Sequence, residues 1–163
     1  MLIGTVQISD RSTIEVALAA FNSLSLDAAA QLATEKTLLD NLLLEVERQE
    51  AVALEVSTFK TNNNIVLSLT IDTVEASDRS AVETALAAYN LLSADAKALL
   101  INEKALLDSL LTQIESLEAI QVEVSTFLTN HATVLGLTTG TVIAGDQAII
   151  DSALSAYYLL SID

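Results

Sequence analysis

The sequence lacks cysteine, proline and tryptophan, and it has only four glycines among 163 residues. Without cysteine, the chain cannot form a disulfide framework, a thiolate zinc site or a cysteine nucleophile. With no proline and so little glycine, few residues interrupt a helix. Hydrophobic residues make up 52% of the chain and aromatic residues only 4%. This composition predicts an all-α protein.

Positive charge is also scarce. Seven Lys and Arg residues stand against 22 Asp and Glu residues, which gives a net charge of −15 at pH 7. Nucleic-acid phosphates repel such a chain, so we expect no nucleic-acid partner. No apolar run approaches the roughly 18 residues of a membrane-spanning helix, and the segment from Met1 to Gly4 does not resemble a signal peptide. We therefore expect no membrane insertion.

The chain contains a tandem repeat. Residues 9–76 align without gaps with residues 77–144, and about 40 of the 68 aligned positions are identical. A third copy occupies residues 145–163, and residues 2–8 match the end of a preceding copy. The sequence therefore predicts an array whose first and last copies are incomplete.

Each copy is predicted to hold a short helix, a tight turn and a long helix. Apolar residues recur every three or four positions in the short helices, near 11–24, 79–92 and 147–160. The same periodicity runs through residues 26–69 and 94–137, which we interpret as one long helix each, with coiled-coil spacing in the second half. At about 1.5 Å per residue, 40 helical residues would extend roughly 60 Å.

The helices are predicted to form a spectrin-like rod. The Thr-rich segments 69–74 and 137–142 are typical of extended linkers that fold back over the end of the long helix. A short helix that leads back from one long helix to the next should lie antiparallel to both. The predicted fold is therefore all-α, with tandem three-helix-bundle repeats of 68 residues that share their long helices.

This fold predicts three units: an incomplete N-terminal bundle at 1–46, a complete central bundle at 47–114, and an incomplete C-terminal bundle at 115–163. A break in the long helix near Glu47 to Glu50 would instead give separate compact bundles. Each incomplete bundle should expose an apolar groove, so we expect a homo-oligomer formed by end-to-end self-association, beside contacts with neighbouring repeats. The predicted packing and assembly residues are Leu18, Phe21, Leu42, Leu86, Tyr89, Leu110, Phe127, Leu154 and Tyr157. Of these, Tyr89 and Tyr157 are expected to be buried with an exposed hydroxyl.

No residues suggest catalysis, a cofactor or a metal. The single histidine, His131, has no cysteine or second histidine beside it, so we interpret it as a polar residue that fixes coiled-coil register or lies at the surface. The chain has no Asp-rich loop with a central glycine, so its clustered carboxylates indicate a solvated helix face rather than a calcium site. These are Glu45, Glu47, Glu50, Glu55, Glu115, Glu118 and Glu123. We expect no enzyme activity.

Two repeated lysines are predicted to join helices. Lys36 and Lys104 each follow a glutamate and precede a leucine pair. Because cations are so few, we expect each lysine to pair with an acidic residue of the short helix, such as Glu15 or Glu83. An exposed pair of this kind contributes only about 0 to 1 kcal/mol, so its role would be to orient the helices.

The repeated string from Asp78 to Ser93, followed by Ala96 to Leu100 and by Glu103 and Lys104, resembles the helical tandem repeats of large bacterial surface proteins, including FIVAR-like and S-layer-associated stalk modules. The resemblance covers essentially the whole chain. It implies an extracellular array at the bacterial cell surface that acts as a spacer, adhesin stalk or filament, without catalytic residues. The alternative is a helical binding module whose open apolar groove accepts a partner helix or ligand protein.

Overall fold

The computed structural model describes residues 3–160 as an all-helical protein, and no β-strand occurs within this range. The eight α-helices of this range are α1 (Arg11–Asn22), α2 (Leu26–Gln31), α3 (Ala33–Asn62), α4 (Arg79–Leu91), α5 (Ala94–Leu99), α6 (Ile101–Asn130), α7 (Ala132–Leu135) and α8 (Gln147–Tyr157). Short 3₁₀ turns lie at Ile3–Thr5, Ile8–Asp10, Val66–Ser68, Ala76–Asp78 and Ala144–Asp146. The all-α prediction is confirmed. The outermost parts of the predicted end bundles, residues 1–2 and 161–163, lie outside the described residues.

The helices recur at the spacing of the sequence repeat. The first residues of α1, α4 and α8 are 68 positions apart, and α5 and α6 follow α2 and α3 by the same interval. Local capping repeats as well, because Ser25 and Ser93 accept hydrogen bonds from the backbone N–H groups of Ala28 and Ala96, at 3.4 and 3.2 Å. These serines satisfy donors that the first turn of a helix leaves unpaired.

The predicted long helix is not continuous at its beginning. Leu32 and Leu100 leave the helical conformation, with ψ angles of 22° and 24°, and so separate α2 from α3 and α5 from α6. Neither position is glycine or proline. In the second copy the bend places Leu100 in the core, where it is fully buried. By contrast, α3 runs unbroken through Glu47 and Glu50, so the break considered there does not occur.

The long helices also end earlier than predicted. Asn63 and His131 follow the last helical residue with ψ angles of 16° and 15°, and the Asn63 amide donates to the Phe59 carbonyl at 2.8 Å. This side chain competes with the next helical hydrogen bond. His131 is thus a residue at a helix end, not a coiled-coil core position. Each long helix has 30 residues, about 45 Å, instead of roughly 60 Å.

The Thr-rich linkers form hydrogen-bonded turns, not extended segments. The backbone N–H of Thr70 donates to the Thr73 hydroxyl at 2.9 Å, and Thr138 and Thr141 repeat this bond at 2.8 Å. Threonine hydroxyls stabilise turns by such local bonds, which a reading of β propensity overlooks. The first of these turns delivers Val74, 5% exposed, into the central core.

The short and long helices pair antiparallel in two cores. The first core joins α1 to α3 through Val6, Ile14, Leu42 and Val46. The second joins α4 to α6 and includes Phe59, Val66, Val74, Val82, Ala85, Leu100, Leu107, Leu110 and Ile114. α3 therefore contributes to both cores, with Leu42 and Val46 in its first half and Phe59 near its end.

α3 approaches the α4–α6 pair indirectly. α4 packs chiefly on α6, whereas α3 meets this pair through α5, which lies against its middle, and through its own last turns. This packing does not confirm a regular three-helix bundle as the repeating unit. It does show one long helix taking part in two successive cores.

Candidate assembly site

The predicted packing residues differ in how far they are covered. Leu42 and Leu110 are 3% and 0% exposed. Half-buried are Leu18, Phe21, Leu86, Tyr89 and Phe127. Leu154 and Tyr157 are 48% and 60% exposed. Tyr157, which we expected to be buried, has its ring 6.2 Å from that of Phe127, but no helix of residues 3–160 lies where α6 lies beside Tyr89.

A repeated arginine joins each of the first two short helices to its long helix. Arg11 donates from Nε and Nη2 to Glu50 at 2.8 and 2.7 Å, and from Nη1 to Glu15. Arg79 donates in the same way to Glu118 at 2.7 and 2.6 Å. Such paired bonds fix the relative orientation of two helices. The sequence analysis missed these pairs, although the recurrence of one of only seven cations opposite the same glutamate was a usable signal.

The third short helix lacks this link. Gln147 occupies the position of the two arginines, and its amide donates to Asp151 of the same helix at 2.7 Å. Within residues 3–160, α8 packs mainly on α7 and on the 3₁₀ turn that precedes it, and the Phe127–Tyr157 ring contact connects it to α6. α8 is therefore attached less firmly than α1 or α4.

The Arg79–Glu118 pair predicts a pH-dependent effect. Hydrogen bonds from Arg79 lower the pKa of the Glu118 carboxyl below its usual 4.5. A carboxyl with a depressed pKa stabilises the fold above the unfolded value, and this contribution is lost as pH falls below about 4.5. Glu118→Gln should therefore lower the melting temperature at pH 7 by up to about 4 °C, and the difference from wild type should vanish near pH 2.

Circular dichroism melts at pH 7, 4 and 2 would measure this difference. The control is Glu115→Gln, which removes the same charge from an exposed residue of α6. A melting temperature unchanged by Glu118→Gln at pH 7 would show that the pair contributes no stability.

The repeated lysines pair within their own helices, contrary to the prediction. Lys36 Nζ lies 2.5 Å from Asp40 and 5.9 Å from the centre of the Phe21 ring. Lys104 repeats this arrangement. In the antiparallel register Lys36 faces Phe21, which is six residues, or about 9 Å, along α1 from Glu15. Asp40, one turn away on the same helix face, is the nearer partner.

The clustered carboxylates mostly have cationic partners. Hydrogen bonds from Arg48, and then from Gln49, lower the pKa of Glu45 to about 2. Among residues 3–160, no three Asp, Glu, Cys or His side chains form a group that could hold a metal ion. The His131 ring instead lies against Phe127, with ring centres 4.8 Å apart.

The contacts of α3 with α4–α6 are here called the internal junction. Its polar part includes an ion pair between Lys60 and Glu103 at 2.6 Å, and a second between Arg48 and Asp95. The aromatic part is an edge-on contact between Phe59 and Tyr89, with ring centres 6.1 Å apart. The backbone N–H of Ser93 also donates to Glu55 at 2.8 Å. This junction shows how one repeat meets the next.

At the N-terminal end, residues equivalent to junction residues are open. Leu100 is fully buried in the second core, whereas Leu32, its equivalent in the first copy, is 38% exposed. Leu24 is 40% exposed, whereas its equivalent Leu92 packs against that core. Within the described part of the chain, no preceding long helix covers Leu24 and Leu32. We call these two residues the N-terminal surface.

At the C-terminal end, an open apolar cavity of about 440 Å³ lies between α6, α7 and α8. Its lining, here called the C-terminal surface, consists of Phe127, Val134, Leu135, Ile150, Ala153, Leu154 and Tyr157. Each of these residues has an equivalent 68 positions earlier in or against the second core. The cavity thus corresponds to the second core without the side that α5 and α6 supply.

None of the helices between residues 3 and 160 is long and apolar enough to cross a membrane. Comparisons of the chain with protein families, curated proteins and solved structures gave no match.

Proposed function

We propose that the chain is a non-enzymatic structural fragment of a bacterial surface or filament protein, which acts extracellularly as a stalk or spacer and assembles through its helical ends. The observation that supports this function most strongly is the participation of α3 in two successive cores. A helix shared between cores fixes the position of one repeat relative to the next. The resemblance to bacterial stalk modules agrees with such a role.

The contacts allow an estimate of the advance per repeat. Arg11 contacts α3 at Glu50, the internal junction joins Lys60 to Glu103, and Arg79 contacts α6 further along. The path between equivalent contacts covers about 25 helical residues, or about 38 Å for parallel axes. This advance is large for 68 residues, as a spacer requires.

Insertion of further copies tests this function. Chains with one, two or three additional copies of residues 77–144 should gain about 38 Å in maximum dimension per copy, because each repeat contacts only its neighbours. The melting temperature should rise with copy number, since each copy adds a junction. Small-angle X-ray scattering and circular dichroism measure both quantities. A maximum dimension that grows only as the cube root of chain length would contradict the spacer.

One further observation favours the alternative of a binding module. A groove of about 670 Å³ lies between α3 and α4, lined in part by Leu54, Phe59, Ala88 and Leu92. Leu54 is 67% exposed, so a partner helix could reach it. Leu54→Asp should leave the growth of inserted chains unchanged if the groove is incidental to a spacer, whereas a binding module would lose its partner.

A further inference from the structure

We infer that the C-terminal surface of one copy receives the N-terminal surface of a second copy in the register of the internal junction, and that α8 leaves its place when they dock. This inference rests on the proposed function and specifies its partner and geometry. The occupant is thus a second copy of this chain. The internal junction provides the template for every contact.

The register follows from equivalent positions. In the second core, the side missing from the C-terminal cavity is filled by Leu100, Leu107 and residues beyond them. The corresponding leucines of the first copy are Leu32 and Leu39, which are 38% exposed and half-buried. Placing them in the cavity of a second molecule reproduces the packing that the chain already uses once.

The aromatic contact is preserved in this register. Phe59 and Tyr89 of the internal junction correspond to Phe127 of one copy and Phe21 of the other. Phe127 is half-buried against Tyr157, and Phe21 is half-buried beneath Lys36. Both aromatic residues are therefore partly accessible, as an interface centre requires.

One short helix too many stands at this docking site. The internal junction contains a single short helix, α4, whereas docking brings together α8 of one copy and α1 of the other. α1 is held by the paired bonds from Arg11 to Glu50, and its Ile14 is 3% exposed. α8 carries Gln147 in place of the arginine, and its Leu154 is 48% exposed. Fewer contacts are lost when α8 leaves, so α1 remains.

The two ion pairs of the internal junction are not reproduced between copies. The equivalents of Arg48 and Lys60 in the second copy are Ser116 and Leu128. In the docked register these residues face Asp27 and Glu35 of the other molecule, which are acidic like their equivalents in the internal junction. Docking of two copies is therefore weaker than the internal junction, and restoring the two cations should strengthen it.

Sedimentation equilibrium of the double variant Ser116→Arg/Leu128→Lys tests the register. Its dissociation constant should be about two- to tenfold lower than that of wild type, the range expected for two exposed ion pairs. Adding Asp27→Lys and Glu35→Lys should remove the gain, although it lowers the negative charge further. The charge-matched control Ser109→Arg/Thr112→Lys places the same cations on exposed residues of α6 within the central unit. An equal gain in this control would overturn the register.

Hydrogen exchange tests the departure of α8 independently. As protein concentration rises, the amides of α8 should lose protection while those of residues 24–39 gain it. Ala153→Asp, which alters a residue of α8 that is 8% exposed, should promote association by loosening α8. Increased protection of α8, or weaker association of Ala153→Asp, would show that α8 belongs to the interface and would overturn the inference.

The two proposals fail in different ways. If chains with inserted copies lengthen as expected but separate molecules stay monomeric at all concentrations, the docking inference is wrong and the spacer stands. If the inserted chains fail to lengthen, the spacer itself is wrong.

Discussion

Replacement of Leu100 by alanine is expected to lower the free energy of unfolding by about 2 to 5 kcal/mol, whereas the same replacement at Leu32 should cost less than about 1 kcal/mol. The two leucines occupy equivalent positions at the same bend. Leu100 is fully buried beside Phe59 and Val66, and Leu32 is 38% exposed. The difference therefore measures what a preceding long helix contributes to the following repeat.

Urea unfolding followed by circular dichroism gives both values. The dependence of unfolding free energy on urea should stay unchanged if each variant alters only stability. Equal losses at Leu100 and Leu32 would mean that the bend, and not the coverage by α3, determines the contribution of this leucine.

Leu42→Asp should have the largest effect in the first core, a loss of about 4 kcal/mol or more. Leu42 is 3% exposed and packs with Ile14 and Val46, so an aspartate there would bury a charge without a partner. Leu44 lies two residues further on the same helix and is 62% exposed. Leu44→Asp should change the unfolding free energy by no more than about 0.5 kcal/mol.

Hydrogen exchange locates the damage caused by Leu42→Asp. The amides of α1 should lose protection first, because Ile14 loses its packing surface in α3. The amides of α4 should keep most of theirs, since Val82 and Ala85 belong to the second core. Equal loss in α1 and α4 would show that the two cores unfold as one cooperative unit.

The helical class and the positions of most helices were readable from the sequence, because periodic apolar residues and the absence of proline are local signals. The bends at Leu32 and Leu100 were not, since both residues favour helix and only tertiary contacts end the helix there. The helix ends at Asn63 and His131 are a third kind of case. Asparagine is a local signal for such an end, but the apolar residues that follow suggested continuation.

The candidate site was predictable as an apolar surface, but not in its polar detail. Repeat alignment placed Phe127 and Tyr157 at packing positions, and the structure shows the two rings in contact. The exposure of Tyr157 depends on which neighbouring helix is present, which no local pattern reveals. The Arg11–Glu50 pair spans 39 residues, so recognising it requires the antiparallel register of α1 and α3.

The continuity of α3 has a mechanical consequence. Because α3 passes from the first core to the second without a loop, there is no hinge at which one core can swing relative to the other. Bending between them requires elastic deformation of a helix, which is far stiffer than a flexible connector. Thermal motion should therefore change the direction of such a chain only gradually. Under tension, it should lengthen by melting helix, not by straightening slack.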